Sequence, residues 1–201
     1  MKKAGKRKIA RVIRAIVPGL YEKGSVLAAI PRGDVLRGFC LESSYDPERV
    51  YISTFVQPLF IPVSGVVLSL GDRVGGGCYN WHIDEADDLA EAARQAAPFF
   101  QTVGTARALC EWHYLDDFRH GYGLHARAYS LILCGRVHEG AEALRGAIEE
   151  TKNDDRQWAR DDIARNEALA ALAESDPLAA AARLRSWAAA TAEALKVNDI
   201  P

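Results

Sequence analysis

His113, Asp116, Asp117 and His120 are spaced by three, four and seven residues, along a stretch whose 3.6-residue period predicts a helix over residues 105–118. Imidazole and carboxylate side chains sharing one helical face suit a divalent transition metal, and His125 could join them from the next helix. Against that, neither an H-E-x-x-H pattern nor a paired E-x-x-H pattern is present, and His120 falls past the expected helix end. Trp112 and Tyr114 flank the group as ordinary packing residues. Two readings therefore stand: a polar surface between helices, or a metal centre built on His113, Asp116 and His120.

Other candidate chemistry is thinner. Cys78 and His82, with Gly75-Gly76-Gly77 beside them, have the residue types of a nucleophile, a base and an oxyanion hole. In an extended strand, however, four residues separate two side chains by roughly 13 Å, too far for proton transfer. The glycine-rich stretch Gly71–Gly77 has neither the G-x-G-x-x-G nor the G-x-x-x-x-G-K-[ST] spacing. It also follows antiparallel strands and does not open a βαβ unit. No G-x-S-x-G elbow occurs, and Ser43-Ser44 and Ser64-Gly65 lie at strand ends without a linked His and Asp. No catalytic residue and no cofactor is expected. Arg37, Glu42 and Gln57 are polar letters in apolar strands, so each needs either an internal partner or a binding role.

Charge is placed unevenly. Lys2, Lys3, Lys6, Arg7, Lys8, Arg11 and Arg14 put +7 in the first 16 residues, leaving 18 basic against 27 acidic side chains, or −9, in the rest of the 201-residue chain. A body of that sign argues against general nucleic-acid binding, which needs clustered cations, except through the basic arm. Asp84, Asp87, Asp88 and Glu91 form an acidic run that can steer a basic partner, with Asp116 and Asp117 as further candidates. The basic start lacks an apolar stretch and a cleavage site, so no secretory signal is expected, and no run approaches the ~20 apolar residues of a membrane span. Cys40, Cys78, Cys110 and Cys134 show no C-x-x-C pair and read as buried free thiols, which fits a cytoplasmic location.

The elements that must position these groups divide at about residue 83. Ile9, Val12, Ile13, Ile16 and Val17 trace one stripe of a helix over residues 6–17, expected to dock on the body, and Pro18-Gly19 ends it. Residues 25–30 and 35–44 read as a hairpin, Tyr45-Asp46-Pro47-Glu48 as a turn, 50–61 as a strand and 66–70 as a short one. The period then becomes helical throughout. Helices are expected over 84–102 with Asp84 as cap, 105–118, 124–134, 138–151, 155–174, and a last one with Asp176 as cap and Pro177 at its first position. The fold class is α+β: a basic amphipathic helix and an antiparallel meander over residues 1–82, then about six helices over 83–201, packed as one unit with the sheet.

Within residues 125–151, His125-Ala126-Arg127-Ala128-Tyr129-Ser130-Leu131-Ile132-Leu133-Cys134-Gly135-Arg136-Val137-His138-Glu139-Gly140-Ala141-Glu142-Ala143-Leu144 resembles a tetratricopeptide-type helical hairpin in its small residue, Leu, Gly turn and Glu-x-Ala steps. No second copy follows at that family's period. The resemblance implies a helix pair stacked on its neighbours, a shape common in interaction proteins. Arg outnumbers Lys 18 to 7, a bias associated with bacterial coding. The expected function is that of a non-enzymatic bacterial protein–protein interaction protein, immunity-like or an adaptor, presenting an acidic surface to a protein partner. The alternative is a metal-dependent enzyme using His113, Asp116 and His120.

Overall fold

The computed structural model describes residues 3–29, 33–76, 79–112, 115 and 121–197. It is an α+β protein: an N-terminal helix, a five-stranded antiparallel sheet, then packed helices. Contacts group the chain into two compact units, Met1–Gln57 with Val66–Gly104, and Pro58–Gly65 with Thr105–Asn198.

In the first unit, helix α1 (Lys3–Ile16) is followed by β1 (Leu20–Lys23), β2 (Val26–Ala29), β3 (Val35–Ser43), β4 (Arg49–Pro58) and β5 (Trp81–His82), in sheet order β1-β2-β3-β4-β5, and then by α2 (Ala86–Thr102). The meander starts earlier than residue 25, because Leu20–Lys23 pairs with Val26–Ala29 across the turn at Gly24. The expected hairpin is present, with Leu27 opposite Phe39 and Ala29 opposite Arg37. At the next turn the Asp46 carboxylate accepts from the Glu48 amide at 2.9 Å, as an Asx turn requires.

The short strand expected over residues 66–70 does not form. The backbone instead pairs with β4 slightly later, through Val56 N to Leu70 O at 3.1 Å, Thr54 N to Asp72 O at 2.8 Å and Val74 N to Ile52 O at 2.8 Å. Gly71 permits this approach, since a Cβ there would lie 1.9 Å from the Thr54 carbonyl oxygen.

One sheet face is covered by two helices. Ile9, Ala10 and Ile13 of α1 join Leu27, Phe39, Leu41, Val50 and Ile52 of the sheet, and Leu89, Ala92, Ala93 and Ala96 of α2, in a single apolar cluster, with Val12, Ile16 and Val17 packed at its edge. The arm thus docks through the predicted stripe, and Lys8 reaches Asp84 from its rim, Nζ to Oδ1 at 3.2 Å. The cap of α2 is Glu85, not Asp84, and the Glu85 side chain makes no cap bond. Asp87 and Asp88 in the first turn complement the positive end of the helix dipole instead.

The second unit holds α3 (Ala106–Cys110), α4 (Gly121–Leu133), α5 (Val137–Thr151), α6 (Gln157–Ser175) and α7 (Pro177–Ala194). Thr105 caps α3, accepting from the Ala108 amide at 3.1 Å, and the helix ends at Cys110, short of the predicted boundary at 118. The α4–α5 hairpin turns at Gly135, whose φ of +81° lies in the left-handed region that glycine enters without strain. Asp176 caps α7 as predicted, accepting from the Ala179 amide at 3.0 Å, with Pro177 at the first helical position.

Replacing Ile13, which is fully buried, by Asp places a charge in the α1–sheet–α2 cluster and should lower stability by about 3 kcal/mol or more, read from the urea midpoint. Lys8→Ala removes one exposed ion pair and should cost less than about 1 kcal/mol. An unchanged midpoint for Ile13→Asp would mean that the arm is not docked.

Candidate interaction face and a buried polar network

His113, Asp116, Asp117, His120 and Cys78 lie outside the described residues. Among the described residues, no group of three or more His, Cys, Asp or Glu side chains is placed to hold a metal ion. The other sequence candidates divide into groups with internal partners and groups left at the surface.

The strand polars have internal partners. Glu42 accepts from the Ser53 hydroxyl at 2.6 Å and pairs with Arg73 at 3.6 Å, while Arg73 also lies 4.2 Å over the Tyr51 ring. Arg37 Nη1 donates to the Val103 carbonyl at 3.0 Å, which ties β3 to the end of α2. Gln57 is buried and accepts from the Val67 amide at 3.1 Å. His82 is held 2.8 Å from Arg49 Nη2, and the same guanidinium donates to the backbone and side-chain oxygens of Asn80 at 3.1 Å. Phe55, Leu59 and Phe60 are core residues.

The acidic run stands at the surface. Asp84 carries the contact with Lys8, and its side chain is still 85% exposed. Asp87 is exposed and Asp88 half-buried in the first turn of α2. Glu91 accepts from Arg94 Nε at 3.1 Å and Gln95 Nε2 at 3.2 Å, bonds that hold its carboxyl below the usual range. The β3–β4 turn meets this end of the unit, because the Ile83 amide donates to the Glu48 carbonyl at 2.9 Å. That turn carries exposed Tyr45, Asp46 and Glu48.

The second unit contains a buried polar network that no motif in the sequence marks. His125 on α4, expected from the sequence only as a further metal ligand, is buried with its Nε2 3.1 Å from Asp162 Oδ2 on α6. One turn along α6, Asn166 Nδ2 donates to the same oxygen at 3.0 Å and lies 3.0 Å from His125 Nε2. The Tyr129 hydroxyl donates to Asn166 Oδ1 at 2.6 Å, which fixes the amide with its NH2 toward the carboxylate. His125 Nε2 completes the set, facing both the carboxylate and the amide. Arg165 pairs with Asp162 Oδ1. Burial alone would raise the Asp162 carboxyl, but the bonds and charges of His125 and Arg165 outweigh it and hold it below the ordinary value.

Around this network Tyr129 meets His125, Trp187 and Phe60, ring centroids 5.8, 5.8 and 6.5 Å away, and burial pushes its hydroxyl up to about 12. The His–Asp pair has the makings of a base and its orienter. Its facing nitrogen, however, is enclosed by Asp162 and Asn166, and neighbouring Ser130 donates to the Ala126 carbonyl at 2.6 Å. The arrangement acts as a tie between α4 and α6. Its signal in the sequence was the stripe Ala159, Asp162, Asn166, Leu169, Ala170 and Ala173, which places two polar letters at core positions. Elsewhere in this unit, α5 and α6 flank a groove of about 390 Å³ whose rim carries Glu149, Glu167 and Glu174, the last paired with Arg145.

Two outcomes follow from the tie. Tyr129→Phe leaves a buried Asn166 oxygen without its donor and should cost about 1–2 kcal/mol, whereas Asp162→Asn breaks the buried pair and should cost about 3 kcal/mol, both read from urea midpoints. Because the folded Asp162 carboxyl sits below its unfolded value of about 4, its contribution is fully present above that pH and is lost as pH falls through the folded value. The acid limb of the stability curve should therefore be shallower in Asp162→Asn than in the wild type; identical limbs would remove Asp162 from the account.

Compared with family models, curated proteins and solved structures, the chain matches none.

Proposed function

We propose that the protein is a non-enzymatic bacterial protein–protein interaction protein, immunity-like or an adaptor, that presents the acidic N-terminal end of α2 to a basic protein partner. The observation that carries this reading is the contrast in how ionisable groups are used. Glu42, Arg49, Arg73, His125 and Asp162 are committed to internal bonds, while Asp87 stands exposed and Asp84, beside Lys8, keeps most of its side chain in solvent, at a helix end whose cap residue makes no side-chain bond. Like charges concentrated on one exposed helix end raise the encounter rate with an oppositely charged surface. The neighbouring turn adds Tyr45, a residue type enriched where interfaces gain most of their energy. The α4–α5 hairpin, similar to a tetratricopeptide-type pair, fits the same class of protein. No helix among the described residues is long and apolar enough to cross a membrane.

The test is capture of a partner from the native host by the wild-type chain and by an Asp84→Lys/Asp87→Lys variant. The wild type should retain a basic protein, with retention falling as salt rises toward physiological strength and beyond. The double reversal should weaken that interaction by roughly tenfold or more, with folding intact by circular dichroism. A partner held equally well by the variant, or one that is acidic, would overturn the proposal.

A further inference from the structure

Cys110 is the last residue of α3, Cys134 follows directly on α4, and Arg136, two residues past Cys134, reaches the Cys110 sulfur, so two cysteines far apart in sequence share one corner of the packed α3–α4 pair. Both side chains are half-buried, not enclosed as the sequence suggested, so reagents can reach them. The turn after Cys134 supplies a third group. Gly135 in its left-handed conformation returns the chain so that the Arg136 amide bonds the Leu131 carbonyl at 2.9 Å. The Arg136 guanidinium is then anchored on Glu139, with Nε to Oε1 at 2.8 Å, and its Nη1 donates to Cys110 Sγ at 3.4 Å. The anchored guanidinium thus faces the Cys110 sulfur and can donate to it during exchange.

We propose that Cys110 and Cys134 form a reactive dithiol pair that exchanges with small-molecule disulfides and closes into an intramolecular disulfide. Cys110 gives its proton to water and its thiolate, held by Arg136, attacks one sulfur of the small disulfide. A mixed disulfide forms and one small thiolate leaves. Cys134 then loses its proton to water and attacks the Cys110 sulfur, expelling the second small thiolate. Two protein thiols are oxidised to one disulfide, and one small disulfide is reduced to two thiols. The guanidinium that reaches its sulfur assigns Cys110 the first attack, and Cys134, whose thiol burial and the neighbouring Cys110 push up to about 11, the second. The closed form ties the end of α3 to the end of α4. The geometry stands by itself and does not depend on the partner reading.

The experiment treats the reduced full-length chain with oxidised glutathione, followed by alkylation, intact mass and non-reducing peptide mapping. The wild type should lose two hydrogens, gain a peptide pair linked through Cys110 and Cys134, and melt about 5–10 °C higher until dithiothreitol reverses the change. Cys134→Ser should stop at a glutathione adduct on Cys110, and Cys110→Ser should leave Cys134 unmodified over the same time. A wild-type chain that stays reduced, that keeps the adduct without closing, or that links Cys40 or Cys78 instead would overturn the proposal.

Discussion

The burial of Ile9 and Ile13 between the sheet and α2 sets where the charges of α1 and of the first turn of α2 stand. A fully buried aliphatic side chain contributes on the order of 1.5–3 kcal/mol, whereas an exposed ion pair contributes between about 0 and 1. The apolar stripe therefore decides the docking of α1, and the cations follow it to the outside. Lys8 then meets Asp84 at the rim because the stripe brings it there. The same seam holds α2 by Leu89, Ala92, Ala93 and Ala96, which leaves the acidic first turn of that helix facing water. The proposed face is thus a consequence of the packing behind it.

The helical unit meets a different constraint. A side chain such as Asp162 is tolerated in a core stripe only when its oxygens are filled, and α4 and α6 do this jointly with His125, Asn166, Tyr129 and Arg165. Each member needs the others in register, so the network specifies one pairing of the two helices where alanine-rich surfaces alone would allow sliding. That demand for register explains why a histidine and a carboxylate sit together here without the open approach that proton transfer to a substrate requires.

How far the sequence carried depended on whether an element was encoded in its own letters. The stripe of α1, the Asx turn at Asp46 and the Asp176-Pro177 start of α7 are local signals, and each reads directly. The β4 edge contact at Leu70–Val74 is not local: it alternates poorly, and it exists because Gly71 lets the chain press against Thr54. β1 was missed because four residues, Leu20–Lys23, carry too little pattern to distinguish a strand from a linker. The Asp162–Asn166 tie was missed because polar letters on a helix read as solvent-facing until their position on the apolar stripe is counted. The acidic run was legible as charge, but its exposure depended on the α1–sheet–α2 packing.

Amide hydrogen exchange, with and without the basic protein that the chain retains, tests the partner face most directly. The first amides of α2 have no intrahelical acceptor and no side-chain cap, so in the free protein they exchange fast unless a partner covers them. The account predicts that partner binding slows exchange at residues 84–91 and leaves α6 and α7 unchanged. Protection confined to other segments, with the first turn of α2 exchanging as fast as in the free chain, would contradict it.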